Sequence, residues 1–106
     1  MGLPRAINAE MSVLGCIMLD GEAMADIAQL LEPSDFTHSA HRTIYETALA
    51  LHAKHRPVDF VTLTDELEQR KLMDECGGYD FMMRLNTFVP SATRAKDYAA
   101  EVKRVS

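Results

Sequence analysis

The sequence predicts an all-α fold, an irregular orthogonal bundle of about six short helices packed as a single domain. Three observations predict it. Apolar residues recur at helical spacing along most of the chain. Helix breakers at Asp20-Gly21, Pro33, Arg56-Pro57, Gly77-Gly78 and Pro90 cut that pattern into short pieces. The composition, 47% hydrophobic and 25% charged over 106 residues, is that of a globular chain long enough for one modest core.

Asn8 is the expected N-cap of the first helix, with Glu10 in its first turn and a stripe of Met11, Leu14, Ile17 and Met18. Asp20 is expected to cap a second helix, in which Met24, Ile27, Ala28 and Leu31 recur at i, i+3, i+4 and i+7. Pro33 ends it, because the residue before a proline is pushed out of the helical region. Residues 33–39 read as a turn-rich link with Phe36 plugging inward. Ser39 is a fair cap for a third helix running to about His55, with Ile44, Tyr45, Ala48, Leu49 and Leu51 on its apolar face. A short extended piece, Val58-Asp59-Phe60, leads to a fourth helix capped by Asp59 or Thr62 and carrying Leu63, Leu67 and Leu72.

The run GGYDFMMRLNTFVPSATRAKDY, residues 77–98, is the most informative stretch. It reads as a glycine break, an apolar helix with Phe81, Met82, Leu85, Phe88 and Val89, a Val-Pro stop and a serine cap. A sixth helix follows, with Ala95, Tyr98, Ala99, Val102 and Val105 on one face. That order suggests two helices packed at a fixed corner. Gly77 is expected to be a left-handed C-cap and Gly78 to give room for close approach. Met82 and Met83 point about 100° apart, so one is expected in the core and the other on an exposed apolar patch, a mark of protein contact. The sixth helix is still in register at Ser106, so the chain is expected to end within or just after a helix of a longer protein.

The formal net charge of -5 argues against the chain gripping DNA by itself, since phosphate binding needs a surplus of Lys and Arg. Two basic clusters remain: Lys54, His55 and Arg56, and Arg94, Lys96, Lys103 and Arg104. Cys16 and Cys76 form no C-x-x-C and read as reduced thiols of a cytoplasmic protein. No run approaches the ~20 apolar residues of a membrane span. The first residues have neither the signature of a secretory signal nor that of a myristoylation site.

The patterns that carry chemistry are missing. His38 and His41 are three apart, as are His52 and His55, but neither pair has Cys or carboxylate partners at zinc-like spacing, and Glu46 is the only close acid. The pairs are also too far apart along one helix, about 16 Å, to share an ion. Gly77-Gly78 precedes Tyr79-Asp80, not the Lys-Ser/Thr of a phosphate loop. The acids fall in clusters, Asp20/Glu22/Asp26, Asp65/Glu66/Glu68 and Asp74/Glu75, expected mostly on solvated faces. No catalytic residue, cofactor-binding residue or metal ligand is expected.

Four segments in order, NAEMSVLGCIMLD (residues 8–20), DFTHSAHRTIYE (35–46), PVDFVTLTDELE (57–68) and GGYDF…VPSATRAKDYAAEV (77–102), span nearly the whole chain. Together they resemble the N-terminal domain of DnaB-like replicative DNA helicases. The resemblance implies an all-α collar domain that assembles into dimers and a hexameric ring and recruits primase. It places ATP, Mg and the P-loop in a separate C-terminal RecA-like motor domain, and a helical hairpin between the two, all outside these residues. DNA would be engaged only through the full-length protein, in the cytoplasm and not at a membrane. An aromatic residue three after the second glycine is tied to primase binding in that family, which makes Phe81 the candidate contact residue, at a position where tyrosine is common. Cys16 departs from a small-residue position and reads as packing. The function expected is therefore non-catalytic assembly and primase docking. The alternatives are a stand-alone helical adaptor with the collar fold, and a small nucleic-acid binder using the basic face of the sixth helix.

Overall fold

The computed structural model describes residues 4–105. Among them are six α-helices and no strand: α1 (Pro4–Leu19), α2 (Ala23–Leu30), α3 (Ser39–Ala53), α4 (Phe60–Gln69), α5 (Gly78–Asn86) and α6 (Ala95–Val105), with 3-10 turns at Pro33–Asp35 and Asp74–Cys76. The all-α class and the helix number agree with the sequence reading.

α1 is the axis of the bundle and packs against α2, α3, α5 and α6. Its residues from Val13 to Met18 are buried on every side, so the helix has no single apolar stripe; a helix covered all round is apolar all round. Gly15 is the point where α5 comes closest. A Cβ there would sit 2.9 Å from the Leu85 carbonyl oxygen and 3.3 Å from Val89 Cγ2. Phe36 is fully buried, as expected, with its ring centroid 4.7 Å from that of Tyr45. The Tyr45 hydroxyl donates to the Leu31 carbonyl oxygen at 2.8 Å, tying the end of α2 to α3.

Glu10 is the seventh residue of α1, not a first-turn residue, and it is buried. Its carboxylate accepts hydrogen bonds from the Thr37 backbone N–H (2.9 Å) and hydroxyl (2.7 Å), the His38 N–H (3.4 Å) and His41 Nδ1 (2.7 Å). Burial pushes its carboxyl up, and the bonds from His41, Thr37 and His38 more than offset this, leaving it below its ordinary value of 4.5.

Several helix starts differ from expectation. α1 begins at Pro4, so Asn8 lies inside the helix and its carbonyl accepts from the Ser12 hydroxyl at 2.8 Å. The N-cap of α2 is Glu22, and Asp20 instead binds the Glu22 N–H at 3.0 Å in the preceding turn. The N-cap of α3 is His38, with Ser39 the first helical residue; Glu10 anchors the residues just before the helix by accepting from the Thr37 and His38 N–H groups. α5 stops at Asn86, so Phe88 and Val89 lie beyond it, and α6 starts at Ala95, four residues after Ser91. α5 and α6 each pack on α1 rather than forming a corner with one another; the connection of residues 87–94 is long enough to separate them.

The start of α4 agrees with the sequence in both alternatives at once. Asp59 Oδ1 accepts from the Thr62 N–H and the Thr62 hydroxyl accepts from the Asp59 N–H, each at 2.9 Å, a reciprocal capping box. Phe60 is already helical. α3 and α4 close with the same device: the residue after the C-cap is left-handed, at His55 (φ 58°) and Lys71 (φ 59°). The next N–H, of Arg56 or Leu72, then returns to the carbonyl of Leu51 or Leu67. A left-handed conformation costs a residue with a side chain roughly 1 kcal/mol that glycine avoids.

Two outcomes follow. Lys71→Gly should raise unfolding stability by about 0.5 kcal/mol in urea titration, since the left-handed strain exceeds the loop entropy that glycine adds; a loss of stability would contradict the strained-cap account. Glu10→Gln should lower stability by about 3 kcal/mol at neutral pH, because an amide cannot accept from all these donors. With its carboxyl held below 4.5 in the fold, Glu10 stabilises fully above that value and loses its contribution as pH falls through its folded-state pKa. The difference between wild type and Glu10→Gln should therefore narrow below pH 4.5; a constant difference across that window would refute the assignment.

Candidate partner-contact site

The site is built on α5. Gly77, with φ 98°, is the left-handed residue where the Asp74–Cys76 turn passes into α5. A Cβ at Gly77 would lie 2.8 Å from Phe81 Cβ, while Gly78, at φ 79°, has open space around it. The close approach expected at Gly78 thus belongs to Gly77, and Gly78 is needed for its positive φ alone.

Phe81 is half-buried and held on several sides. Its ring stacks on the His41 ring, with centroids 5.7 Å apart and planes 7° apart, and His41 stacks in turn on His38 at 4.6 Å. The Arg84 guanidinium lies 5.6 Å from the Phe81 centroid, a cation–π distance. The middle ring of the stack is fixed by the 2.7 Å contact of His41 Nδ1 with Glu10. α1, α3 and α5 therefore hold one aromatic edge in place with a buried charge behind it.

α5 also exposes large apolar side chains, with Tyr79 and Met83 on the flank opposite Phe81. Met83 is 59% exposed, Tyr79 48% and Phe88, just past the helix, 40%. Met82 is fully buried, so the two methionines divide between core and surface as their angular separation predicts. The Tyr79 hydroxyl is hydrogen-bonded to Glu68, which pushes the phenol's pKa up.

The other sequence candidates have structural duties. His38 and His41 stack face to face. Glu66 is buried in its acidic cluster, where the hydrogen bond from Arg70 at 2.9 Å holds its carboxyl below the ordinary value, with Arg56 3.5 Å away. Lys103 is 2.9 Å from Asp35, Arg104 2.6 Å from Glu101 and Lys96 3.9 Å from Asp26, so the basic face of α6 is interleaved with carboxylates. Burial pushes both the Cys16 and the Cys76 thiol up to about 11, with Glu75 adding to the latter, which keeps them protonated and unreactive. Among the described residues no group of three His, Cys, Asp or Glu is arranged to hold a metal ion. No helix there is long and apolar enough to cross a membrane.

Sequence reasoning did not find Glu10 and Thr37 as the support of the site. The signal was present: Glu10, Val13, Leu14 and Ile17 stand at i, i+3, i+4 and i+7, which places an acid on the buried face and requires a partner for it.

A family model described as "DnaB-like helicase N terminal domain" matches residues 2–104. The chain is 36% identical over 103 residues to the replicative DNA helicase DnaB of Geobacillus stearothermophilus, and 37% identical over 103 residues to the replicative DNA helicase DnaC of Bacillus subtilis. Each comparison covers 97% of this chain and 23% of the relative. The crystal structure of the N-terminal domain of DnaB helicase from Mycobacterium tuberculosis superposes with a TM-score of 0.88 at 38% identity, covering 92% of this chain and 68% of that one. The chain belongs to the family of DnaB-like helicase N-terminal domains.

Proposed function

We propose that this domain is the non-catalytic assembly and primase-docking part of a hexameric replicative DNA helicase of the cytoplasm. The observation that carries the proposal is the family match over residues 2–104, together with relatives named replicative DNA helicases. In this reading ATP, Mg and DNA are engaged by a RecA-like motor domain of the same protein, and these residues contribute contacts.

The docking element is the edge of α5. Phe81 is pre-positioned by His41, Arg84 and Gly77, so little ordering entropy is lost when a partner covers it. Met83 offers a second, adaptable apolar contact on the other flank of α5, and Arg84 can pair with an acid at the rim. The buried ionisable groups favour contact over catalysis: Glu10 is saturated by donors and both thiols stay protonated. The carboxylates interleaved with the α6 cations weigh against a phosphate-binding face.

Titration of the full-length protein with the C-terminal domain of its cognate primase should show saturable binding. Phe81→Ala and Met83→Glu should each weaken it about tenfold or more, with unchanged melting for the exposed Met83→Glu, while Phe81→Tyr keeps the affinity because the ring is retained. Absence of binding at tens of micromolar would count against docking. A full coding sequence without a G-x-x-x-x-G-K-[ST] motif would remove the helicase reading.

A further inference from the structure

The methionines of the described residues are unequally protected. Met24 and Met82 are fully buried, Met18 and Met73 are 5% and 7% exposed, and Met11 is partly buried against the core. Met83 is the exception among them, at 59%. The contrast is sharpest with Met82, its neighbour in sequence, because the two point about 100° apart around α5. Tyr79, four residues before Met83 on the same flank, is 48% exposed, and its hydroxyl is bonded to Glu68. Spacing of i, i+4 makes the two side chains one apolar patch. A small oxidant reaches Met83 with the fold intact, whereas the buried methionines are reached only when their packing opens.

We propose that Met83 is a reversible oxidation site: a hydroperoxide converts its thioether to the sulfoxide and weakens the contact this flank of α5 makes with a partner, and a dithiol reductant restores it. A sulfur lone pair attacks one peroxide oxygen, and the S–O bond forms as the O–O bond breaks. The leaving hydroxide takes up the remaining proton as water. Sulfur gives up two electrons and the peroxide gains them. In the reverse step two thiols supply two electrons, become a disulfide, and the oxygen leaves as water. Two observations make the product a surface change and not a lesion. Met83 is no part of the buried cluster, so a sulfoxide there leaves the packing intact; the same reaction at Met24 or Met82 would set a polar group among apolar side chains. The modified side chain also stands in an exposed apolar patch, where a soft, adaptable thioether is replaced by a strongly hydrated dipole. Covering the patch then means stripping that water. The effect on partner binding rests on the docking role proposed above; the selectivity of the oxidation does not.

The test treats full-length protein with hydrogen peroxide and locates oxygen uptake by mass spectrometry of proteolytic fragments. Met83 should oxidise at least about tenfold faster than Met18, Met24, Met73 and Met82, and the treated protein should melt as the treated Met83→Leu variant does. Titrated with the C-terminal domain of the cognate primase, treated protein should bind about fivefold more weakly than untreated protein. Met83→Leu, from whatever affinity it starts, should lose none of it on the same treatment. Incubation with methionine sulfoxide reductase and a dithiol should return the affinity of the untreated protein. Any of four results would overturn the inference: Met82 oxidising as fast as Met83, unchanged affinity after full conversion of Met83, an equal loss in Met83→Leu, or no recovery with the reductase. If the untreated protein itself does not bind primase, it is the docking reading that fails, and the map of oxygen uptake still decides whether Met83 is the reactive methionine.

Discussion

A single carboxylate, buried in the middle of α1, sets the relation between the central helix and the rest of the bundle. Glu10 accepts from two consecutive backbone N–H groups, a hydroxyl and an imidazole. It anchors the segment that leads into α3, and so joins two elements that are distant in sequence. A buried charge without partners would cost several kcal/mol; this one is compensated only when residues 37–41 are in place. The link therefore specifies which way α3 crosses α1. Through the His41 ring it also specifies where Phe81 stands.

The placement of Phe81 shows how scaffold and contact surface are coupled. The ring touches α3 through His41, shares α5 with Arg84, and leaves no room for a side chain at Gly77. Its position is thus set by three segments rather than by its own rotamer preference. A surface aromatic fixed in this way presents the same shape before and after a partner arrives. The surface between α2 and α6 is built differently: Leu30 and Ala100 lie beside Lys96, Lys103 and Arg104, each of which is within ion-pair distance of a carboxylate.

Elements with a local cause could be read from sequence. The Asp59–Thr62 box, the left-handed Gly77, the inward Phe36 and the split of Met82 from Met83 all depend on residues within a few positions of one another. The misreadings share the opposite property. Ser39 and Ser91 are good caps by type, but α3 already includes Ser39, with His38 as its N-cap held by Glu10, and α6 starts only at Ala95. Asn8 is an ordinary cap residue overtaken by a helix that starts at Pro4. His55 and Lys71 give no local hint of a left-handed turn; the bonds from Arg56 to Leu51 and from Leu72 to Leu67 enforce it. For the candidate site, the resemblance pointed to Phe81, while its support by Glu10, Thr37 and His41 required the fold, because residues 10, 41 and 81 lie on three different helices.

The two buried cysteines have a practical meaning. Cys16 lies in the last turn of α1, and Cys76 at the turn that launches α5. Both are fully buried and held as thiols, so a thiol reagent can reach neither until the surrounding packing opens. Their labelling rates therefore time two events separately: exposure of the bundle's axis, and loosening of the segment beneath Phe81. The domain carries an internal clock for each, and a partner that clamps α5 would slow the second without needing to slow the first.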